Sequence, residues 1–202
     1  MSERELLAKY DAVAEHYSAH DYANAERYYA RRAELVAAEL PRGSTLLDFA
    51  CGDGGLGRQL VARGIDYHGL DASERMVEVA QRSLGARVAH AGFDHVPAEP
   101  VDATTIFRSL YLVPDRLGFM ERARLFTRRR LIFDFDPRAY DRDAVLGDLR
   151  RAGWTPVWVR PFLQPQRHEL PAPLQSVLHA LEPLPGARVL TRVRFPLLVS
   201  AR

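Results

Sequence analysis

The stretch that most constrains this chain is LLDFACGDGGLG at 46–57, where glycines follow a short apolar run. The run Thr45–Phe49 predicts a buried strand, and the apolar spacing that follows predicts a helix ending at Gly64. A glycine-rich turn between a strand and a helix brings bare backbone and unpaired N–H groups close to a ligand. The G-x-G-x-x-G pattern alone is a weak signal, because dinucleotide-binding proteins share it, so its neighbours must decide what the turn binds.

Strand and helix patterns alternate along the rest of the chain. Further strands are predicted at 65–70, 87–90, 103–107, 129–135, 155–159 and 193–200, and helices around 74–80, 119–126, 144–152 and 174–181. This alternation predicts an α/β fold, a three-layer α/β/α sandwich with a seven-stranded, mostly parallel sheet. No helix of crossover length separates the last two strands, so the last strand is expected to be antiparallel. The ligand is expected at the carboxyl ends of the strands, beside the topological switch point.

The length of 202 residues is enough for one domain with a sizeable core. We expect an N-terminal helical lid at 1–40, a cofactor-binding core at 41–160, an insertion at 161–192 that contributes to an acceptor pocket, and a last strand at 193–202. The formal net charge is only +2, with basic and acidic residues interspersed, which does not favour a nucleic-acid partner.

Two absences in the sequence bear on the compartment. Cys51 is the only cysteine, so no internal disulfide is possible, as expected of a cytoplasmic protein. No window approaches twenty apolar residues, and the N-terminus lacks the features of a secretory leader, so no membrane partner is expected.

Several stretches resemble, in order, the class I S-adenosylmethionine-dependent methyltransferases. LLDFACGDG resembles the family's first motif, and GLDAS (69–73) followed by ERMVEVA resembles its second. FDHVP (93–97) resembles the adenine-side loop, and VDATTIFRSLYLVPD (101–115) resembles the fourth strand and the loop after it. YDAVAEHY (10–17) is similar to the opening of members that act on small molecules. The resemblance implies S-adenosylmethionine as methyl donor and S-adenosylhomocysteine as product.

The resemblance also implies roles for individual residues in binding this cofactor. Asp48 would orient its ammonium group, directly or through water, and Asp71 would accept both ribose hydroxyls, since a carboxylate has two oxygens. Met76 would lie against the adenine. Gly92 stands where many members carry an acid, so either Asp94 or backbone groups would contact the exocyclic amine. The expected cofactor contacts are Tyr17, Asp48, Ala50, Cys51, Gly52, Gly54, Asp71, Ala72, Met76, Phe93, Asp94 and Phe107.

The residues expected at the reacting centre are Tyr17, Arg108 and His168. Tyr17 would touch the methionine end of the cofactor, and Phe107 with Arg108 would flank the departing methyl group. His168 is either a general base or an ordinary loop residue. Arg108 or Arg32 is a candidate partner for an acceptor carboxylate.

The acceptor itself leaves a weaker trace in the sequence. The segment RSLY at 108–111 stands where base-directed methyltransferases carry [D/N/S]-P-P-[Y/F/W]. We therefore expect methylation of an oxygen or nitrogen atom of a small molecule, by a monomer or homodimer. The alternatives are an RNA methyltransferase, a regulator that binds the cofactor without turnover, and a nicotinamide oxidoreductase.

Other chemistry-bearing residues have simpler interpretations. Cys51 has no base paired with it in sequence, so packing is favoured over a nucleophile. His16 and His20 are spaced like metal ligands but lack a third, and no metal is expected. The run 128–130 (RRR) is interpreted as a solvated helix end rather than a nucleic-acid patch. Asp134 and Asp136, which end the fifth strand, either reach the acceptor pocket or cap the next turn.

Overall fold

The computed structural model describes residues 3–184, 186–187 and 195–202, and within them the predicted alternation of strands and helices is present. The strands are β1 Thr45–Phe49, β2 Asp66–Asp71, β3 Val88–His90, β4 Val101–Ile106, β5 Thr127–Phe135, β6 Pro156–Pro161 and β7 Leu197–Ala201. The helices are α1 Glu3–Val13, α2 Tyr17–Asp21, α3 Ala25–Ala37, α4 Gly55–Ala62, α5 Glu74–Leu84, α6 Arg116–Phe126, α7 Arg142–Arg151 and α8 Ala172–Leu181.

The described strands form one seven-stranded sheet in the order β3-β2-β1-β4-β5-β7-β6. The pairs β1–β2, β2–β3 and β4–β5 are parallel, whereas β7 runs antiparallel to both β5 and β6. The predicted α/β class, with a mostly parallel sheet and an antiparallel last strand, is therefore confirmed.

The chain forms two compact units. The first comprises Met1–His95 and Gln166–His168, and the second comprises Val96–Pro165 and Glu169–Arg202. The single-domain prediction, with its boundaries at 40, 160 and 192, stays a prediction. Part of the predicted insertion, at 185 and 188–192, and the first two residues of the predicted last strand, 193–194, lie outside the described residues.

In the first unit, apolar residues of the parallel strands are buried beneath the helices that follow them. Leu46, Phe49 and Tyr67 have almost no exposed surface, and neither do Leu60 of α4 and Met76 of α5. Burying one such side chain stabilises the fold by about 1.5–3 kcal/mol. This core holds the β1–α4 turn and the end of β2 in place.

In the second unit, the carboxyl-terminal half of β5 and the whole of β7 are buried. Leu131, Ile132 and Phe133 are fully buried in succession, as in a strand covered on both faces. Trp154 packs behind α6, where its indole N–H donates to the carbonyl of Met120 at 2.9 Å.

Two boundaries differ from the sequence prediction. The helical pattern at 4–40 is interrupted at 22–24, where the side chain of Asn24 accepts the N–H of Arg27 and caps α3. Strand β5 begins at Thr127, so the arginines at 128–130 belong to a strand, and their assignment to a helix end is wrong. The buried hydroxyls of Thr104 and Thr127, 2.5 Å apart, hold this first residue against β4.

Among the residues described, every helix is too short or too polar to cross a bilayer.

Candidate functional site

The turn between β1 and α4 has an unusual backbone. Ala50, Gly52 and Gly54 have φ angles of 56°, 58° and 77°, all in the left-handed region. A residue with a side chain rarely adopts this region, and the strain at Ala50 costs on the order of 1–3 kcal/mol. The N–H of Cys51 donates to the carbonyl of Leu70 at 2.9 Å, which holds the strained turn against β2. Strain that the surrounding fold maintains is a feature of ligand-binding turns.

The glycines around this turn have two different functions. A Cβ at Gly54 would lie 2.8 Å from Leu84 Cδ1, and one at Gly57 would lie 2.5 Å from the Tyr67 ring. Both positions must be small because helix and strand pack closely there. A Cβ at Gly52 would meet only the Tyr17 ring, at an ordinary 3.6 Å. Gly52 is therefore the motif glycine whose small size is not required by packing within this unit.

Asp71, at the end of β2, faces this turn. One of its carboxylate oxygens accepts the N–H of Gly52 at 2.8 Å, and the other accepts the N–H of Ser73 at 2.9 Å. Each oxygen has a second acceptor direction, so the group still suits a ligand with two neighbouring hydroxyls. Burial raises the pKa of Asp71, and the two N–H donors oppose this shift only in part.

Asp48 lies deeper, within β1. Its side chain is 3% exposed and accepts the hydroxyl of Tyr67 at 2.9 Å. Cys51 is buried beside it, and burial raises the pKa of its thiol, with the negative charges of Asp71 and Asp48 adding to the effect. A thiol kept protonated in this way is a poor nucleophile, which agrees with a packing role.

Tyr17 covers the turn from the N-terminal side. Its ring lies over Gly52 and makes edge contacts with Tyr10 and Tyr22, each with ring centroids 6.3 Å apart. The structure thus places Tyr17 beside the glycine turn. Its predicted role remains a hypothesis.

The predicted adenine-side residues lie in the same unit. Met76 is 2% exposed in the first turn of α5, and Ala72 and Phe93 are half-buried. Phe93 stacks on Phe49, with ring centroids 6.4 Å apart, whereas Asp94 is exposed.

His168, one of the three residues predicted at the reacting centre, is exposed. It lies in the short segment 166–168, which belongs to the first unit. Gln166 joins the segment to the turn after α2: its carbonyl accepts the N–H of Ala23 at 2.8 Å, and its amide donates to the carbonyl of Asp21 at 3.0 Å.

Arg32, the alternative candidate for an acceptor carboxylate, is buried in α3. Its guanidinium donates to the Tyr28 hydroxyl at 2.9 Å and lies 5.0 Å from the centre of that ring. These contacts occupy Arg32 within its own helix.

In the second unit, the loop after β4 presents Phe107 and Arg108. Phe107 is buried, and Arg108 adopts a left-handed backbone with φ of 57°. The N–H of Arg108 donates to the buried carboxylate of Asp134 at 2.6 Å. Asp136 accepts the N–H of Arg138 at 2.9 Å and ion-pairs with its guanidinium, so it caps the turn, one of its two predicted roles.

The sequence interpretation gave no binding role to Asp11, Ser18 or Asp53, although all three meet the glycine turn or its neighbour Ser73. Ser73 donates from its hydroxyl to Asp11 at 2.5 Å, and Ser18 donates to Asp53. Asp11 belongs to the YDAVAEHY motif and Asp53 to the glycine motif, and these motifs were the only available signals. The partners are far apart in sequence, so only the fold reveals the pairs.

Residues 46–129 match the family model described as a methyltransferase domain. No curated protein matches.

Solved structures share the fold. A TehB-like SAM-dependent methyltransferase from Corynebacterium glutamicum is 24% identical, with a TM-score of 0.56, over 64% of this chain and 75% of that one. A S-adenosylmethionine dependent methyltransferase from Mesorhizobium loti is 22% identical, with a TM-score of 0.62, over 84% and 97%. Magnesium protoporphyrin IX methyltransferase from Synechocystis, solved with bound SAM, is 16% identical, with a TM-score of 0.62, over 86% and 79%.

Proposed function

We propose that this chain is a class I S-adenosylmethionine-dependent methyltransferase and that it transfers a methyl group to an oxygen or nitrogen atom of a small molecule. Its fold and the match of residues 46–129 to a methyltransferase domain support the class. The observation that carries the proposal is the Asp71 carboxylate, held between the N–H groups of Gly52 and Ser73 beside a left-handed glycine turn. A cytoplasmic location is part of the proposal, since the single cysteine, Cys51, is a free buried thiol.

The residues around the turn fit S-adenosylmethionine chemically. A carboxylate with acceptor capacity on both oxygens matches a ribose diol, and Asp71 has this arrangement. Backbone without a side chain at Gly52 lets the amino-acid part approach, and Asp48 supplies a nearby negative charge for its ammonium. Met76 and Phe93 supply apolar surface for the adenine.

The protein's part in the reaction is mainly binding and alignment. When bound, S-adenosylmethionine supplies a methyl group activated by its positively charged sulfur. The Tyr17 ring lies beside Gly52, where a cation placed over the ring would be attracted by about 0.5–2 kcal/mol. This attraction favours binding rather than transfer, because it weakens as positive charge is lost. Holding an acceptor in line is worth roughly 7–11 kcal/mol of the barrier.

The acceptor class is proposed from the second unit and from charge. Arg108 presents a guanidinium suited to a carboxylate, and we include His168 and Tyr17 as candidate groups at the reacting centre. The exposed arginines 128 and 129 lie at the amino end of β5, the end opposite to the one where ligands bind in parallel sheets. They therefore do not support an RNA substrate.

The proposal is tested in two steps. Calorimetry with S-adenosylmethionine and S-adenosylhomocysteine measures binding, and a methyl-release assay then covers a panel of small acids, amines and phenols, with tRNA and DNA as separate arms. Methylation of a small molecule supports the proposal. Methylation of tRNA or DNA alone would replace it with a nucleic-acid methyltransferase. Binding without any turnover would favour a regulator, and a thermal shift with NAD(H) instead would favour an oxidoreductase.

A further inference from the structure

Helices α1 and α2 contact Ser73 and the glycine turn between β1 and α4 through two hydroxyl–carboxylate hydrogen bonds. Ser73 Oγ donates to Asp11 Oδ1 of α1 at 2.5 Å, and Ser18 Oγ of α2 donates to Asp53 Oδ2. Tyr17 lies between these two contacts in sequence, with its ring over Gly52. We call this pair of hydrogen bonds the latch. It joins one continuous segment, α1–α2, to both sides of the proposed cofactor site.

Ser73 connects the latch to the proposed ribose and adenine contacts. The hydroxyl that donates to Asp11 also accepts the N–H of Met76 at 3.1 Å. The N–H of Ser73 donates to Asp71 Oδ1 at 2.9 Å. A shift of α1 therefore acts directly on the residue that positions Asp71 and the first turn of α5.

Asp53 connects the other half of the latch to the glycine turn. Its side chain is 8% exposed, and Oδ1 accepts the N–H of Gly55 at 3.2 Å and the Tyr29 hydroxyl at 3.5 Å. Ser18 donates to the second oxygen, Oδ2. The hydroxyl of Ser18 is thus hydrogen-bonded to a carboxylate that is itself held at the start of α4.

We propose that Asp11 and Ser18 are positioning residues that close α1–α2 over the bound cofactor, and that opening of the latch limits release of S-adenosylhomocysteine. This inference rests on the proposed function. Tyr17 covers the Gly52 face of the turn, so a ligand bound there leaves only when Tyr17 moves, and Tyr17 is the neighbour of Ser18. Glu15, which lies between α1 and α2, forms exposed ion pairs with Arg75 and Arg82 of α5, but solvent-screened pairs contribute little.

The test compares Asp11→Ala and Ser18→Ala with two matched controls, Glu121→Ala and Ser83→Ala. Both controls remove an exposed helical side chain of the same chemical type, away from the latch. The dissociation rate of S-adenosylhomocysteine is measured by stopped-flow displacement. Each latch variant is expected to release it about 5–10-fold faster, part of the strength of a charged hydrogen bond, while both controls match wild type. Asp11→Asn keeps an acceptor oxygen and is expected to restore part of the loss.

Hydrogen exchange supplies a second readout that needs no ligand. Amides of 10–21 are expected to exchange faster in ligand-free Asp11→Ala and Ser18→Ala than in either control, with the melting temperature little changed. If wild type binds S-adenosylhomocysteine but both latch variants release it at the wild-type rate, the latch is refuted and the proposed function stands. If wild type does not bind it, the proposed function fails, and the release role fails with it.

Discussion

Alanine substitution at two glycines of one turn should separate packing from ligand binding. Gly54 has φ of 77°, and a Cβ there would lie 2.8 Å from Leu84 Cδ1 and 3.1 Å from Ala80 Cβ. Left-handed backbone costs an alanine about 1–2 kcal/mol, and overpacking adds about 1–3 kcal/mol. We therefore expect Gly54→Ala to lower the free energy of unfolding by about 2–5 kcal/mol.

Gly52 has a similar φ of 58°, but its Cβ would meet only the Tyr17 ring, at 3.6 Å. Gly52→Ala should therefore incur only the backbone term, about 1–2 kcal/mol. Its methyl group would point into the face of the turn where the cofactor is proposed to bind. A misfit of about 1–3 kcal/mol there corresponds to a 5–150-fold weaker affinity for S-adenosylhomocysteine.

Urea unfolding and calorimetry on both variants provide the measurement. For a chain of this length, each kcal/mol shifts the melting temperature by about 2–4 °C, so the two variants should differ clearly. Folded Gly54→Ala should lose less affinity for S-adenosylhomocysteine than Gly52→Ala does, because its Cβ would point against Leu84 and Ala80. The reasoning is refuted if Gly52→Ala binds it with wild-type affinity, or if both variants lose the same stability.

Three other positions give further predictions. Asp71→Ala removes the carboxylate proposed to accept two hydrogen bonds from the ribose diol, and it should weaken S-adenosylhomocysteine binding by about 100-fold or more without unfolding the protein; unchanged affinity in calorimetry would remove the ribose assignment. Burial raises the pKa of Asp71 above its value in the unfolded chain. The free energy of unfolding of wild type should therefore fall relative to that of Asp71→Asn as pH rises from the ordinary carboxyl pKa through the raised one. Urea titrations across that pH range should show this fall, and the opposite trend would contradict the reasoning. Cys51 should react with iodoacetamide far more slowly in the native state than in urea, because burial raises the pKa of its thiol; equal rates by mass spectrometry would contradict the packing. Arg108→Gly relieves a φ of 57° and should raise the free energy of unfolding by about 0.5–1 kcal/mol, yet methyl transfer should fall while cofactor affinity holds; retained transfer would end the proposed role of Arg108.

Local sequence patterns predicted an element correctly where a run of buried apolar residues is bounded by residues that form turns. Strand β1 begins and ends as predicted, because its apolar run is bounded by the Pro41–Gly43 turn and by the left-handed turn that starts at Ala50. Ser73 caps α5 as its residue type favours, since its hydroxyl accepts the N–H of Met76 at 3.1 Å.

The start of β5 was predicted two residues too late, because polar residues extend the strand beyond its apolar centre. The register pairs Val101 with Thr127 across an irregularity, and a buried hydrogen bond between Thr104 and Thr127 stabilises that pairing. An apolar-periodicity rule cannot detect such a contact, because its stabilisation comes from two side chains that meet only after β4 and β5 align.

The same distinction applies within the candidate site. Asp48, Gly52 and Asp71 were predicted because a recurring motif marks them, and the structure brings all three to one turn. Asp11 and Ser18 were missed because their partners lie 62 and 35 positions away in the chain.

A charged Asp71 carboxylate destabilises the ligand-free protein, but the contacts that hold it also prepare it to bind a ligand. Burial disfavours its charge, and the backbone donors at Gly52 and Ser73 offset only part of that cost. Those donors also fix the orientation of the carboxylate, because a group held by one N–H on each oxygen cannot rotate freely. The remaining acceptor directions of both oxygens are therefore set before any ligand arrives. The left-handed turn has the same effect on the backbone, since Ala50 holds a conformation that an unconstrained chain would leave. Folding thus supplies the free energy needed to order the turn, and a ligand with a vicinal diol need not supply that free energy when it binds.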